Sequence, residues 1–283
     1  MFKQLVCCGF CLLLGIVSAA ETITYPKHQA VADPQLDYVL SVLHLALSKS
    51  GKAYELKQSR TAMVQSRAML ELKQNSGKVD VIWAMTDPIR ESELLPIRIP
   101  IDRGLIGWRI ALIRQGDERR FASISTLHDW APLIAGQMHD WPDTGIMRSN
   151  GLTVSTTSNY ESLFEQLAAK RIDYFPRSVI EVIPELDSHR KMGLAIEPMH
   201  VLRYRTAFYF FVSPKRPELA EDITRGLEAA IRDASLEALF WQHFGQAVRM
   251  LNLTSRRVTD LDNPLLPAAT PLNRRELWFD QLP

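Results

Sequence analysis

Two arginines, Arg90 and Arg177, each follow an apolar stretch with the character of a buried β-strand. A guanidinium group binds a carboxylate or a phosphate through two parallel hydrogen bonds. Ligands of α/β proteins bind outside the carboxyl ends of the strands, and both arginines are expected there. The sequence therefore predicts that Arg90 and Arg177 contact an anionic ligand. The alternative is that both are ordinary surface residues.

The segment GQMHDWPDT (136–144) connects a predicted strand to a predicted helix and contains further candidates. Gly136 allows close approach of a backbone, and the first N–H groups of the following helix can receive an anion. His139 and Trp141 stand beside the helix start, and Gln137 precedes them. We predict that these four residues contact the ligand, whereas a capped helix start with Trp141 in the core is the alternative.

Polar and aromatic side chains at other predicted strands complete the candidate site. Tyr25 ends the first strand and Trp108 lies on a later apolar strand, so either could stack on a ligand. Arg60 and Thr86 follow the second and third strands, and Ser178 comes directly after the second of the two arginines. For both aromatic residues, packing in the core is the alternative.

Motifs of catalytic and metal-binding sites are nearly absent from the sequence. The seven histidines show neither His-x-His nor His-x-x-x-His spacing, and there is no Gly-x-Ser-x-Gly elbow and no Walker loop. Glu181 and Glu185 are one helical turn apart, but Pro184 lies between them, so both are expected to be solvated carboxylates. We therefore predict no catalytic residue, no metal site and no cofactor.

The first twenty residues have the pattern of a secretory signal peptide, with Lys3, an apolar run and a small-residue exit ending at Ala20. All three cysteines lie in this segment, so residues 21–283 can form no disulfide. Without Lys3 the chain carries 32 basic and 32 acidic side chains, and this balance argues against a nucleic-acid partner. No second apolar segment approaches membrane-spanning length. We therefore predict a periplasmic protein whose signal peptide, 1–20, is removed.

Alternating strand and helix patterns surround the candidate residues. The first unit reads β-α-β-α-β, and a second α/β unit follows the polar stretch 115–120. Predicted strands lie at 22–26, 53–59, 78–86, 104–114, 131–137, 152–156 and 172–176, and predicted helices begin at Pro34 and Pro142 and cover 61–77, 158–171 and 217–244. Gly77 is a predicted helix end, and Ser158 with Glu161 is a predicted capping box.

Two α/β units with an extended return at 193–214 predict two lobes, each a mixed sheet flanked by helices. We predict a first lobe of residues 21–112 and 205–283, ending in an extended tail at 246–283, and a second lobe of residues 113–204. Two hinge crossings join the lobes, and the ligand cleft lies between them. Leu277, Trp278 and Phe279 are expected to dock the tail.

Four stretches resemble the periplasmic solute-binding proteins of the amino-acid-binding type (bacterial extracellular solute-binding family 3). They are WAMTDPIRESELLPIRIPI (83–101), LAAKRIDYF (167–175), VSPKRPELAEDITRGLEAAIRD (212–233) and LFWQHFG (239–245). Their order and spacing carry the resemblance, which covers nearly the whole mature chain. It implies an α/β fold of two lobes, the type II periplasmic binding fold.

The resemblance also implies roles for particular positions. In the family an arginine after the third strand holds the α-carboxylate of the ligand. Arg90 corresponds to that arginine, one residue later than usual relative to Thr86. The acidic residue that holds the α-amino group is missing, because Pro176, Arg177 and Ser178 occupy that place. The resemblance therefore does not extend to recognition of a standard zwitterionic amino acid.

The function that this implies is a monomeric binding protein that closes on a small, carboxylate-bearing or anionic ligand. It would deliver this ligand to an ABC permease or a membrane sensor. Two alternatives remain open: an enzyme on the same scaffold, similar to cyclohexadienyl dehydratase, and a pair of lobes that acts only through protein contacts.

Overall fold

The computed structural model describes residues 19–28 and 35–279. Residues 1–18 of the predicted signal peptide lie outside the described residues. Pro34, the predicted start of the first helix, also lies outside them. The strands are β1 Glu21–His28, β2 Tyr54–Met63, β3 Val81–Met85, β4 Leu95–Ile97, β5 Trp108–Arg114, β6 Ile134–Met138, β7 Thr153–Thr157, β8 Phe175–Ser178, β9 Leu194–Ile196, β10 His200–Arg203, β11 Phe208–Val212 and β12 Arg257–Asp260. The helices are α1 Leu36–Ser48, α2 Gln65–Gln74, α3 Pro88–Glu93, α4 Glu118–Ala122, α5 Leu127–Trp130, α6 Pro142–Ser149, α7 Glu161–Ala168, α8 Val182–Ser188, α9 Pro217–Arg232 and α10 Ser235–Met250.

The first α/β unit has the predicted order of elements. β1 and β2 pair in parallel, and the N–H of Asp80, just before β3, donates to the carbonyl of Thr24 on β1 at 2.8 Å. β3 pairs with β11 in antiparallel orientation, and β11 pairs with β4. The all-apolar sequences of β3 and β11 are buried along their whole length, as expected for central strands. The end of β3 at Met85 lies beside the start of β11 at Phe208, and the site described below begins at this edge of the sheet.

The second group of strands has the order β12-β10-β5-β8, with β9 also paired to β5. β6 and β7 pair in parallel, and a bridge between Ala135 and Tyr174 joins β6 to the chain just before β8. β5 is antiparallel to both β8 and β10. β5 thereby leads the chain from the first group of strands into the second.

Several helix boundaries differ from the sequence prediction. The predicted helix 61–77 is shorter, because pairing with β1 extends β2 to Met63 and because Asn75, with a φ of 54°, ends the helix before Gly77. The predicted helical region 217–244 is two helices, since Ala234 has a φ of 60°. Asn75 and Ala234 both place a non-glycine residue in the left-handed region.

The predicted capping box of Ser158 and Glu161 does not form. α7 begins at Glu161, and the side chain of its N-cap residue, Tyr160, makes no capping hydrogen bond. The side chain of Asn159 accepts a hydrogen bond from the N–H of Ser162 at 3.2 Å instead. The three residues before α7 are therefore a loop.

Two passages between the two groups of strands, the one before β5 and the one after β10, are tightly packed against each other. A Cβ atom on Gly107 would lie 2.2 Å from the carbonyl oxygen of Tyr204. Gly104, with a φ of 77°, lies under the indole of Trp278, which a Cβ atom would approach to 2.7 Å. The carbonyl of Tyr204 therefore leaves no room for a side chain at Gly107, and the indole of Trp278 leaves none at Gly104.

The C-terminal tail starts later than predicted, because α10 continues to Met250, and it includes strand β12. The expected docking residues Leu277, Trp278 and Phe279 are 2–3% exposed. Phe279 packs edge-on against Trp108, with ring centroids 5.6 Å apart. The end of the described tail thus covers the passage that leads into β5.

Candidate functional site

A cavity of about 360 Å³ opens between the ends of β2 and β3 on one side and the β6–α6 loop, the start of α7 and β8 on the other. Its apolar wall contains Met63, Trp83, Met85, Ile106, Met138 and Phe208. Its polar wall contains three arginines and five carboxylates, namely Arg90, Arg109, Arg177, Asp140, Asp143, Glu161, Glu181 and Glu185. This cavity is the candidate site.

Arg90 is positioned by the start of α3. Asp87 caps that helix by accepting the N–H of Arg90 at 2.8 Å, and its other carboxylate oxygen lies 3.1 Å from Nε of Arg90. The guanidinium also donates to the carbonyl of Met85, and Nη2 donates at 3.0 Å both to Oε1 of Gln65 and to the carbonyl of Asp140. These contacts use four of the five N–H groups of Arg90. Those made by Nη2 join Arg90 to Gln65 on α2 and to Asp140 in the β6–α6 loop, which both line the cavity.

Burial lowers the pKa of Arg90, and the neighbouring Asp87 carboxylate opposes that effect. The group remains a cation, because an arginine pKa starts above 12. Arg90 therefore presents a positive charge at the wall of the cavity, next to the carboxyl end of β3.

Arg177, on β8, is only 3% exposed and is paired with two carboxylates. Nε donates to Oε2 of Glu185 at 2.7 Å, Nη2 donates to Oε1 of the same residue at 2.6 Å, and Nη2 lies 3.0 Å from Oε1 of Glu181. Burial alone would lower the pKa of Arg177, but the two carboxylates raise it well above its usual value. Arg177 is therefore a buried cation that the protein itself neutralises.

Glu181 and Glu185 were expected to be solvated, and that expectation is wrong. Their exposed fractions are 7% and 3%, and both carboxylates face the cavity. Pro184 does not interrupt the helix, because it lies in the first turn of α8, where a proline removes no hydrogen bond. The resemblance implied an acidic residue at the end of β8, which this chain lacks. Glu181 and Glu185, at the start of α8, place carboxylates next to that position.

Arg109, on β5, is a cavity residue that the sequence analysis missed. Nη2 lies 2.7 Å from Oδ1 of Asp143, Nη1 lies 3.3 Å from Oε2 of Glu181, and Nε donates to the hydroxyl of Tyr204 at 2.8 Å. That hydroxyl in turn donates to Asp143. The position of Arg109 in the middle of the apolar run GLIGWRIALIR was the available signal, because a charge in a buried strand needs a partner.

The structure brings three of the predicted residues, Arg90, Arg177 and Trp141, together at the cavity. Trp141 is the N-cap residue of α6, and its ring lies 4.7 Å from the guanidinium carbon of Arg177. The other eight predicted residues do not line the cavity.

Four of those eight belong to the first half of the chain. Thr86 is buried and donates to Glu91 at 2.7 Å, and Arg60 is exposed on β2. Tyr25 packs against Trp83, with ring centroids 6.2 Å apart, and so stands behind a cavity residue. Trp108 packs under the tail as described above.

The remaining four lie near β6 and β8. Gly136 faces Ile172, and Gln137 is fully buried with Nε2 near the sulfur of Met147. His139 is exposed beside the carbonyl of Thr157, and Ser178 donates to the carbonyl of Leu105 at 2.9 Å. Each has a packing or hydrogen-bonding role outside the cavity.

Within residues 19–28 and 35–279, no three histidine, aspartate, glutamate or cysteine side chains form a group that could hold a metal ion. In the same part of the chain, no helix has both the length and the apolar character needed to cross a bilayer.

No family model and no curated protein matches the sequence. Solved structures do match. An arginine-specific periplasmic binding protein of Salmonella typhimurium is 14% identical, with a TM-score of 0.57, and the match covers 80% of this chain and 100% of that one. A histidine kinase sensor domain similar to periplasmic binding proteins is 16% identical, with a TM-score of 0.58, and the match covers 80% of this chain and 97% of the domain.

A third match is the ancestral amino-acid-binding protein AncCDT-1, described as a precursor of cyclohexadienyl dehydratase. It is 12% identical, with a TM-score of 0.56, and the match covers 79% of this chain and 95% of that one. The chain therefore has the predicted α/β fold of the type II periplasmic binding proteins, with mixed sheets flanked by helices. At these identities the likeness shows the fold alone.

Proposed function

We propose that this chain is a periplasmic solute-binding protein that closes, as a monomer, on a small carboxylate-bearing ligand. The observation that carries the proposal is the cavity of about 360 Å³, because its lining combines the Arg90 cation with a set of apolar side chains. Small-molecule sites have this size and this mixture of apolar walls with few polar groups. The two sides of the cavity belong to the two proposed lobes, 21–112 with 205–283 and 113–204.

A carboxylate fits between Arg90 and the start of α7. Ser158, Asn159, Tyr160 and Glu161 line the cavity there, and the first N–H groups of a helix have no partner within the helix. The N–H of Ser162 already donates to Asn159, so the donors for a ligand are those that precede it. The N–H groups of Arg90 that reach Gln65 and Asp140 can be redirected to a ligand oxygen without moving α3. A carboxylate would then receive charge-assisted hydrogen bonds from both sides of the cleft.

The apolar wall supports a hydrocarbon or aromatic body for the ligand. Trp83 and Phe208 present rings to the cavity, and Met63 and Met85 present flexible side chains that adapt to different shapes. The polar candidates predicted at Arg60, Tyr25, Trp108, Gly136 and His139 are not needed for this arrangement. The proposed ligand is a small organic acid whose non-polar part packs on this wall.

The partner of the loaded protein is an ABC permease or a membrane sensor. Both uses are represented among the matched structures, which include an arginine-specific binding protein and a histidine kinase sensor domain. Secretion through the predicted signal peptide supports a periplasmic location for either use.

The test is a thermal-shift screen of aliphatic, aromatic and amino acids, followed by calorimetry on the hits. A ligand at 100 times its Kd stabilises a binding protein by about 2.7 kcal/mol, which raises the Tm of a protein this long by about 5–10 °C. Arg90→Ala should weaken binding by about tenfold or more. Arg98→Ala is the matched control, since Arg98 pairs with Glu91 outside the cavity, and it should change affinity less than about threefold. An absence of any carboxylate hit, or equal affinities for the two variants, contradicts the proposal.

An enzyme on this scaffold is the second candidate. Burial raises the pKa of the Glu185 carboxyl at the cavity wall, whereas its pairing with Arg177 lowers it, and Glu185 is the candidate that we name for a proton carrier. One matched structure is described as a precursor of cyclohexadienyl dehydratase. Consumption of a cyclohexadienyl acid by the purified protein, lost in Glu185→Gln, would establish it. Recovery of the unchanged acid would exclude that reaction.

A further inference from the structure

The guanidinium of Arg177 is enclosed by three aromatic rings. Its central carbon lies 4.7 Å from the ring centroid of Trp141, 4.9 Å from that of Phe175 and 5.7 Å from that of Tyr160. All three distances are within the range in which a ring face attracts a cation. The rings come from α6, β8 and the loop before α7, so three separate elements build this enclosure.

Two carboxylates complete the enclosure on the side where the N–H groups point. Glu185 binds Nε and Nη2 through both of its oxygens, and Glu181 lies 3.0 Å from Nη2. Tyr160 contributes its hydroxyl as well as its ring, because it donates to Glu185. We call the five residues Trp141, Tyr160, Phe175, Glu181 and Glu185 the cation cage.

The cation cage has the chemistry that recognises a guanidinium ion: aromatic faces above the plane and a bidentate carboxylate in the plane. Four of its members, all except Phe175, also line the cavity. We propose that the cation cage is a guanidinium-binding site that this chain fills with its own Arg177 side chain, which thereby excludes ligands with a guanidinium or ammonium group from this end of the cleft. The exclusion of cationic ligands rests on the proposed function, whereas the occupancy of the cation cage does not.

This assignment changes the role expected for Arg177. An anion clamp needs two parallel N–H groups free to meet the ligand, but Nε and Nη2 already face Glu185. The nearest further carboxylate, Glu181, also receives the N–H of Ser178 and lies beside Arg109. The local charge is therefore arranged to hold a cation, and Arg177 is a specificity-determining residue.

The experiment is chemical rescue. Arg177→Ala empties the cation cage, and its Tm should be lower than that of the wild-type protein because Glu185 loses its paired arginine and Glu181 loses one of two. Ethylguanidinium at millimolar concentration should raise the Tm of Arg177→Ala and bind it about tenfold or more tightly than it binds the wild-type protein. Sodium chloride at equal ionic strength and urea, a neutral molecule of similar shape, should not raise the Tm.

Two further variants separate the cation cage from general effects. Arg274→Ala removes an arginine that is paired with Glu228 and Glu276 at the surface, and ethylguanidinium should leave its Tm unchanged. Arg177→Ala with Glu185→Gln removes the bidentate acceptor and should lose most of the rescue. If Arg177→Ala is recovered unfolded, the refolding yield with and without ethylguanidinium is the readout. Equal yields, or equal Tm increases in Arg177→Ala and Arg274→Ala, overturn the proposal.

L-Arginine then tests the exclusion of cationic ligands. It should not stabilise the wild-type protein and should stabilise Arg177→Ala. Stabilisation of the wild-type protein by L-arginine overturns the exclusion, even where ethylguanidinium rescues the variant. The rescue experiment needs no natural ligand, so it can succeed even where the carboxylate screen finds nothing. Either proposal, the binding function or the occupancy of the cation cage, can therefore be refuted while the other stands.

Discussion

Arg109 joins several elements through a buried charge cluster, and removing it should be among the most damaging single changes in this chain. Its side chain is 5% exposed and contacts Asp143, Glu181 and Tyr204, which lie on α6, at the start of α8 and after β10. Arg109→Met would leave Asp143 with only the hydroxyl of Tyr204. Loss of one partner from a buried ion pair costs about 3–5 kcal/mol of unfolding free energy.

The partner variant makes the test specific to this pair. Asp143→Asn alone removes a charge-assisted bond and should cost about 1–3 kcal/mol, while Arg109 keeps its contact with Glu181. In the double variant neither charge of the pair is left without the other. The loss of unfolding free energy should therefore be smaller, by about 2 kcal/mol, than the sum of the losses in the two single variants.

Urea unfolding followed by tryptophan fluorescence gives the free energies, with the m-value as the check that all four proteins unfold alike. A cost below about 1 kcal/mol for Arg109→Met would show that solvent or another group replaces the pair. Additive costs, with a coupling below about 0.5 kcal/mol, would refute the reasoning that these two charges are mutually dependent.

Three other predictions concern buried residues outside the cavity. Burial raises the pKa of the Asp102 carboxyl to about 7, so the folded protein keeps a proton that the unfolded chain releases near its ordinary value of 3.8. Stability should therefore fall as pH rises between these two values, and Asp102→Asn should flatten that slope in urea unfolding. Gly226→Ala places a Cβ atom 1.7 Å from the carbonyl oxygen of Ala46 on α1 and should lower the unfolding free energy by about 3 kcal/mol or more. Gly245→Ala, where the nearest atom would lie 3.4 Å from the Cβ atom, should instead raise it by about 0.5–1 kcal/mol. Trp278→Ala should lower the unfolding free energy by about 3–5 kcal/mol, and a loss under about 1 kcal/mol would show that the tail is dispensable.

The order of strands and helices was predictable because apolar runs and helical spacing are local properties. β3 is a continuous apolar segment and β5 is apolar apart from Arg109 and its last residue, Arg114, and both form strands at the expected places. The break at Ala234 was not predictable from spacing, because alanine favours the helix interior whereas Ala234 has a φ of 60°.

The site was predictable only where position along a strand determines it. Arg90 follows the end of β3, Arg177 is the next-to-last residue of β8, and both line the cavity. Arg109 and its partner Tyr204 are 95 residues apart, so no spacing pattern could connect them. The eight candidates outside the cavity were chosen by strand position too, but this position does not determine which face of an element a side chain occupies.

The close passage of the two connecting segments provides a sequence signature. Because the carbonyl of Tyr204 and the indole of Trp278 leave no space for a Cβ atom, a chain with this passage must keep glycine at positions 104 and 107. The matched structures named above are only 12–16% identical, so overall similarity is a poor guide to close relatives. A search that requires this glycine pair, followed by an aromatic residue at the position of Trp278, would collect chains that share the passage and the covering tail.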